Sequence, residues 1–472
     1  MLRIEPHLSA DAGERSMAME GHRFRATTRL PRVLVLTPIY PWPGNPSEGI
    51  FVHRQIRNLA RLGHEVRVLA YHPAIPGLPS ALTALSWGRY HPRWMRRSRE
   101  QDGVRVEHVF FPQRRPDRGD VVPDIVDATT GVIERVPEFQ DTDVIYAHWL
   151  WTGGAVALRL RDRFGWPVAA IARGSETHRW QTVHPHCRAH VERVIQGADL
   201  LLANCEHLRS RLIDLRPSAG RRTIVARNGC DHTVFRPAPH RDQLRRRLGF
   251  SPGLKYLLCC ATIAEHKGVL DLAEAWRTFS ASHRDWRLIV VGPVPRRRLA
   301  REFTRIAGDR AEVRGQVSSD GVVTLMQAAD AYVQPSRLEG LSNATMEAMA
   351  VGLPLITTSA GGQSELVRDG ENGWLVPTSA PSALARAMGE LARRPDLAAS
   401  LGAAARRTIV SRFDALSAVA DLSDRITELH DDSNVLRRAR PALALSAHQS
   451  GIREQSRDIL TGEAMADRIP VA

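Results

Sequence analysis

Lysine is almost missing from this chain of 472 residues: only Lys255 and Lys267 occur, and the other 63 of its 65 basic side chains are arginine. The net charge of +14 therefore comes from arginines spread over both halves, with short clusters at Arg245 to Arg247 and Arg296 to Arg298. Neither cluster has aromatic residues interleaved with it as a stacking platform, which argues against nucleic-acid binding. An acidic small molecule or an anionic membrane surface is left as the reason for the charge. Cysteine is scarce too: there are five, Cys259 and Cys260 are adjacent, and none forms a metal-type pair. That usage predicts a reducing compartment and no zinc site. No apolar run approaches the roughly 20 residues of a membrane span. The first 30 residues carry Glu5, Asp11, Glu14 and Glu20 without an apolar secretory core. The expected location is the cytoplasm, with peripheral contact to the inner face of the cell membrane as a further option.

What is present is a repeated α/β pattern. Arg32 to Thr37 (RVLVLT) reads as a strand buried on both faces; a Pro/Gly loop, a helix over Phe51 to Leu62 and a strand over Glu65 to Ala70 complete a βαβ unit. Strands at Val104 to Phe110, Val144 to Ala147, Val168 to Ala172 and Leu200 to Ala203 extend it into one doubly wound domain, residues 31–215. A second series, residues 216–412, has strands at Thr223 to Ala226, Lys255 to Cys260, Arg287 to Val291, Glu312 to Arg314, Ala331 to Gln334 and Pro354 to Thr357, with helices such as Val269 to Phe279 and Val322 to Ala328. Two domains of this size fit the length, and ligands of such open sheets bind beyond the carboxyl ends of strands, in a cleft between the halves. Residues 1–30 read as a flexible tail, 413–430 as a C-terminal helix with the option of packing back on the N-terminal domain, and 431–472 as a disordered tail.

The chemistry concentrates in Gln334 to Pro354, QPSRLEGLSNATMEAMAVGLP. Pro335 and Gly340 are turn residues, and Ser342 or Asn343 is suited to cap a helix through Ala350. The start of such a helix offers unpaired N–H groups and the positive dipole end, which suits a diphosphate. Glu339 lies just before it and Glu347 one to two turns inside, where carboxylates can accept from sugar hydroxyls. Glutamates near a first turn also complement the dipole, and on these residues alone an ordinary cap is an equal alternative.

Five other segments add to it. Lys267, in CATIAEHKG, follows an apolar strand and opens a helix; a compact ammonium suits a phosphate, and a chance surface lysine is the alternative. His148 ends the strand of DVIYAHWLWTGG, facing the cleft. Arg173, Gly174, Ser175, Glu176 and His178 follow the next strand and could surround an acceptor hydroxyl or a phosphate, or form a solvated loop. Gly49 enters the first helix, where backbone could approach a phosphate, although the loop lacks a GxGxxG spacing. The loop Ser86 to Arg99, with Trp87, Tyr90, Trp94 and five arginines, predicts contact with a membrane surface or lipid acceptor.

Taken in order, these segments resemble the retaining, GT-B-fold glycosyltransferases that carry a Glu, seven-residue spacer, Glu motif. SRLEGLSNATMEAMAVGLPLITTSAGGQSELVRDGENGWLVP is similar to that family's donor-site signature, NGCDHTVF to its NGVD-type turn, and GIFVHRQIRNLARLGHEVRVL to the first βαβ unit of members that build polysaccharides on membrane-linked acceptors. The resemblance implies two Rossmann-like domains facing a central cleft. It implies that Glu339 holds donor-sugar hydroxyls, that backbone at Leu341, Ser342 and Asn343 meets the sugar and diphosphate, that Glu347 binds the ribose and Lys267 the diphosphate. It places His148 near the reacting sugar and Gly49 near the phosphates. One departure stands out: many relatives carry an arginine five positions before the lysine, and here that position is Thr262, so Arg173 or Arg337 is a substitute to look for.

The implied reaction moves a sugar from a nucleotide-diphosphate donor to a hydroxyl of a glycan or lipid-linked glycan, with retained configuration and no metal or other cofactor. His148, Lys267 and Glu339 are the expected catalytic residues. Gly49, Arg173, Lys267, Glu339, Leu341, Ser342, Asn343 and Glu347 are the expected donor site. A catalytically weak nucleotide-sugar binder and an epimerase or phosphorylase on the same fold are the alternatives.

Overall fold

Continuous apolar runs such as Val33–Thr37, buried along their whole length, are the mark of parallel strands covered by helices on both faces, and the structure forms two sheets from them. The computed structural model describes residues 29–74, 98–112, 120–174, 177 and 184–434. The first sheet contains β1 (Val33–Thr37), β2 (Val66–Ala74), β3 (Ser98–Gln101), β4 (Val104–Pro112), β5 (Val144–His148), β6 (Val168–Ala172), β7 (Leu200–Ala203) and β8 (Thr223–Val225). Its order is β3-β4-β2-β1-β5-β6-β7-β8, parallel throughout except for the antiparallel edge pair β3 and β4. The second sheet contains β9 (Lys255–Cys260), β10 (Trp286–Val291), β11 (Ala311–Gly315), β12 (Ala331–Gln334), β13 (Leu355–Thr358) and β14 (Trp374–Val376). It is all parallel, in the order β11-β10-β9-β12-β13-β14. Leaving out β3, both sheets start from the doubly wound pattern 3-2-1-4-5-6, as expected for Rossmann-like units.

The strand predicted at Thr223 to Ala226 is corrected in its partner. It does not open the second series: Thr223 pairs with Leu201 and Val225 with Ala203, at the edge of the first sheet. Length and apolar pattern identify a strand of three residues, but only tertiary pairing decides which sheet it joins. Two strands were not read from the sequence: β3 (SREQ) has no apolar alternation, and β14 (WLV) is a short run directly after the turn residues of ENG.

The chain then returns. Cys230 N–H donates to the Phe413 carbonyl at 2.8 Å and Ala415 N–H to the Cys230 carbonyl at 3.2 Å, which launches a helix over residues 415–434, four residues into the stretch read as tail. Its Val419, Leu422 and Ile426 join Val33, Val35, Ile56 and Val144 in one buried cluster, and His64 Nε2 meets Ser423 Oγ at 2.7 Å. Burial of three such aliphatic side chains contributes about 1.5–3 kcal/mol each, so the last described helix is held by the first sheet. Among the described residues no helix is long and apolar enough to cross a membrane.

Candidate active site

Strand order reverses between β1 and β5 in the first sheet and between β9 and β12 in the second, the points where open α/β sheets bind ligands. The chain leaving these four ends carries Gly49 after β1, His148 on β5, Lys267 after β9 and Glu339 after β12.

Beyond β9 the chain makes a single tight turn, Glu265–Lys267, and Gly268 at φ +63° starts the helix Val269–Ser282. A Cβ at position 268 would stand 1.9 Å from the Pro335 carbonyl oxygen, so glycine is what allows the lysine turn to lie against the end of β12. There Lys267 Nζ donates to Glu339 Oε1 at 2.7 Å, the two side chains 23% and 11% exposed. Ser336 Oγ donates to the same oxygen at 2.8 Å. Behind it, Gln334 Nε2 donates to Ser336 Oγ at 2.8 Å and the Tyr332 hydroxyl donates to Gln334 Oε1 at 2.5 Å. Every donor in this buried line points towards Glu339, an acceptor-only group when ionised.

Ser342 caps the helix Asn343–Val351, its hydroxyl accepting from Thr345 N–H. Its own N–H, expected to face a diphosphate, instead donates to Gln363 Oε1 at 3.2 Å, and Gln363 Nε2 reaches Thr345 Oγ1 at 3.1 Å and Thr357 Oγ1 at 2.9 Å. Leu341 is buried. Glu347 is met by a side chain that sequence reading passed over: Arg54 NH1 donates to its Oε1 at 2.8 Å and Arg54 NH2 to Ser319 Oγ at 2.6 Å. Burial pushes the Glu347 carboxyl above its ordinary range, and Arg54 opposes the rise. A pocket between the halves is lined by Arg54, Gln55, Asn228, Asn343 and Glu347.

On the other side, Gly49 starts the helix Ile50–Arg61 at φ +63°, with a notional Cβ 2.7 Å from the Ile39 carbonyl oxygen. His148 ends β5 as read, but it does not face open space: it is fully buried. Arg173 NH2 lies 2.8 Å from its Nδ1 and donates to Gln55 Oε1 at 2.9 Å. Arginine can only donate, so Nδ1 is the acceptor and Nε2, buried without a hydrogen-bond partner, carries the proton. Burial, with Arg173 adding to it, holds the imidazole pKa well below 6.5, so His148 is a neutral donor. The next turn is strained, with Trp149 at φ +66° and Thr152 at φ +48°.

Arg173 also joins the two halves. Its NH1 donates to Asn228 Oδ1 at 2.8 Å, and Asn228 Nδ2 donates to Asn343 Oδ1 at 3.0 Å at the start of the Glu347 helix. Both arginines named as substitutes for a second cation beside Lys267 are engaged with other partners. Arg337 is held by Asp271 through two bonds of 2.7 and 2.6 Å, and Arg173 is engaged with His148, Gln55 and Asn228. Arg54, Ser336 and Gln363 are the residues missed. Among 63 arginines nothing in the sequence singles out Arg54, whereas Gln334 and Ser336, polar residues closing an apolar strand, were a usable signal. Ser175, Glu176, His178 and the Trp87, Tyr90 and Trp94 stretch lie outside the described residues.

Family comparison fits this geometry. Residues 254–394 match the model for glycosyl transferases group 1, and residues 49–229 that for the glycosyl transferase 4-like domain. The chain is a glycosyltransferase built of these two domains. Among relatives of this glycosyltransferase, the D-inositol 3-phosphate glycosyltransferase of Thermobispora bispora is 29% identical over 430 residues, covering 86% of this chain and 96% of the relative. The putative teichuronic acid biosynthesis glycosyltransferase TuaC of Bacillus subtilis is 24% identical, covering 81% and 95%. The sucrose-phosphate synthase structure from Thermosynechococcus elongatus superposes with a TM-score of 0.69 at 20% identity, covering 85% of this chain and all of that one. Anabaena HepE, solved in complex with UDP and glucose, superposes with a TM-score of 0.65 at 20% identity, covering 84% and 99%. The fold of this glycosyltransferase is thus GT-B.

Proposed function

We propose that this glycosyltransferase takes a nucleotide-diphosphate sugar as donor and transfers the sugar, with retained anomeric configuration, to a hydroxyl of a glycan or lipid-linked glycan. The observation that carries the reading is the Lys267–Glu339 pair at 2.7 Å beside the start of the Glu347 helix. On this view the ammonium answers to a diphosphate and the oriented carboxylate to a sugar ring. In this reading Lys267 leaves Glu339 for the diphosphate and stabilises the charge that develops as the sugar departs. Glu339, fixed by Ser336, accepts from sugar hydroxyls, and Glu347 accepts from the ribose. Amides at Leu341 and Asn343 complete the donor end, and Gly49 lets backbone approach the phosphates. His148, buried in this structure, is assigned to the sugar or acceptor side, with an Nε2 proton that is oriented through Arg173 and reaches a ligand only when the turn over residues 149–152 moves. Attack and departure take place on the same face. HepE supports a nucleotide-sugar donor by its UDP and glucose, and TuaC supports a polysaccharide acceptor by its name. Contact with an anionic inner membrane, through arginines, is part of the same proposal.

A thermal-shift panel of nucleotide sugars tests it. A ligand at a hundredfold excess over its Kd adds about 2.7 kcal/mol of stability. At least one nucleotide sugar should raise the wild-type midpoint and leave Glu339→Ala unmoved, and the product should keep the donor's anomeric configuration. No shift with any nucleotide sugar, or an inverted product, would overturn the proposal.

A further inference from the structure

Arg54 belongs to the first half of the molecule, on the helix Ile50–Arg61, yet both of its strong polar contacts lie in the second. NH1 donates to Glu347 Oε1 at 2.8 Å, NH2 donates to Ser319 Oγ at 2.6 Å, and the guanidinium lies over the Phe235 ring, 5.2 Å from its centroid. The Arg54 side chain is 26% exposed and Glu347 16%. Two hydrogen bonds and a ring face fix the planar group in one orientation. It meets Glu347 through Oε1, so this contact does not occupy the second carboxylate oxygen.

We propose that Arg54 is a positioning residue for the donor site: from the opposite lobe it holds Glu347 oriented and ionised, so that the carboxylate is competent to bind a nucleotide ribose only while the lobes are docked. This deepens the proposed function and rests on it. The groups around Glu347 are few. Cys230, Cys260 and Tyr332 feel its charge from the interdomain turn, β9 and β12. Arg57 and Asp231, 3.9 Å apart, line the same pocket. Burial favours the neutral carboxyl and Arg54 is the cation that counters it. A neutral Glu347 would accept less strongly from ribose hydroxyls. The sign follows: without Arg54 the carboxyl protonates at higher pH, so donor affinity is lost earlier as pH falls.

Calorimetric titration of the full chain with UDP-glucose and GDP-glucose between pH 5.5 and 8 tests this, since neither diphosphate gains a proton in that range. Arg54→Met should weaken binding about tenfold at pH 5.5 and under about threefold at pH 8, because one pKa step is a tenfold change. Arg54→Lys should recover most of the loss at pH 5.5. An equal loss at every pH, unrescued by lysine, would mean a merely structural role, and unchanged affinity would mean none; either overturns the proposal. Glu347→Gln separates the two layers. If it abolishes binding while the Arg54 variants behave like wild type, the ribose role stands and the Arg54 role falls. If wild type binds neither these probes nor any other nucleotide sugar of the thermal-shift panel, the proposed donor class is itself wrong.

Discussion

The two halves wind their strands in the same way but treat the ends of those strands differently. In the second half the turn after β12 leaves Glu339 and Lys267 partly exposed and facing each other, supported from behind by a line of buried polar side chains. In the first half the corresponding strand end is capped: His148 is fully buried, its acceptor nitrogen is taken by Arg173, and the turn beyond is strained. The charged groups at the second strand end are partly exposed and paired with each other, whereas the first strand end spends its arginine on internal hydrogen bonds. The same topology thus supports a partly exposed ion pair at one strand end and a buried imidazole closed over by an arginine at the other.

The contrast can be broken most severely at Lys267. If the second half carries the charge stabilisation, Lys267→Met should cut turnover by about a hundred- to a thousandfold, the range for removing one preorganised transition-state donor, while the fold persists. Steady-state release of nucleoside diphosphate measures it. Turnover within a few fold of wild type would shift the burden to the arginines of the first half.

Acid sharpens the same contrast through stability. The described histidines with depressed pKa values all lie in the first half: burial lowers His53, His64, His72, His108, His148 and His186, and His108 falls from 6.5 to about 4. A base depressed by folding binds its proton more readily when unfolded, so stability is present above pH 6.5 and is lost as pH falls from there towards 4. For His108 alone the loss is about 3 kcal/mol. Glu347 has the opposite sign: its carboxyl is raised by burial, so protonation relieves rather than strains the second half. Asp120 and Asp143, both lowered, cost stability only below the carboxylate range, outside this window. Unfolding free energy measured by denaturant titration should therefore fall between pH 6.5 and 4.5, and a flat profile would show that these imidazoles are not buried as neutral bases.

How much of this was legible in the sequence follows from what each feature depends on. Strands such as Val168 to Ala172 and Lys255 to Cys260 are read correctly because a buried parallel strand writes a continuous apolar run. The Glu339 turn, the Ser342 cap and the helix after it are legible because caps and turns are local chemistry. The sheet to which Thr223–Val225 belongs, the burial of His148 and the inward use of the Ser342 amide are set by residues far away in sequence: Leu201, Arg173 and Gln363. Arg54 is the clearest case. In a chain that writes nearly every cation as arginine, no local pattern distinguishes the one that crosses to Glu347, since that role exists only once two separately wound sheets have docked.

The smallest effect concerns the helix over residues 415–434, last in order among the described residues but packed with the first sheet. Ile426 is fully buried among Val33, Val35, Ile56 and Val144. Removing one methyl group from such a site costs about 0.5–1.5 kcal/mol. Ile426→Val should therefore lower the unfolding midpoint slightly, by destabilising the first half, while the affinity for a nucleotide sugar stays within about twofold of wild type, since substitutions with no shared partners act nearly additively. The link most able to carry the change across is Arg54, on the helix whose Ile56 touches Ile426's cluster. A marked loss of donor affinity in Ile426→Val would mean that the first half sets the state of Glu347 through that helix, and that the two sites are halves of one cooperative unit. Unchanged affinity with a lowered midpoint would confirm that the second half forms its charged pair independently of how tightly the first is packed.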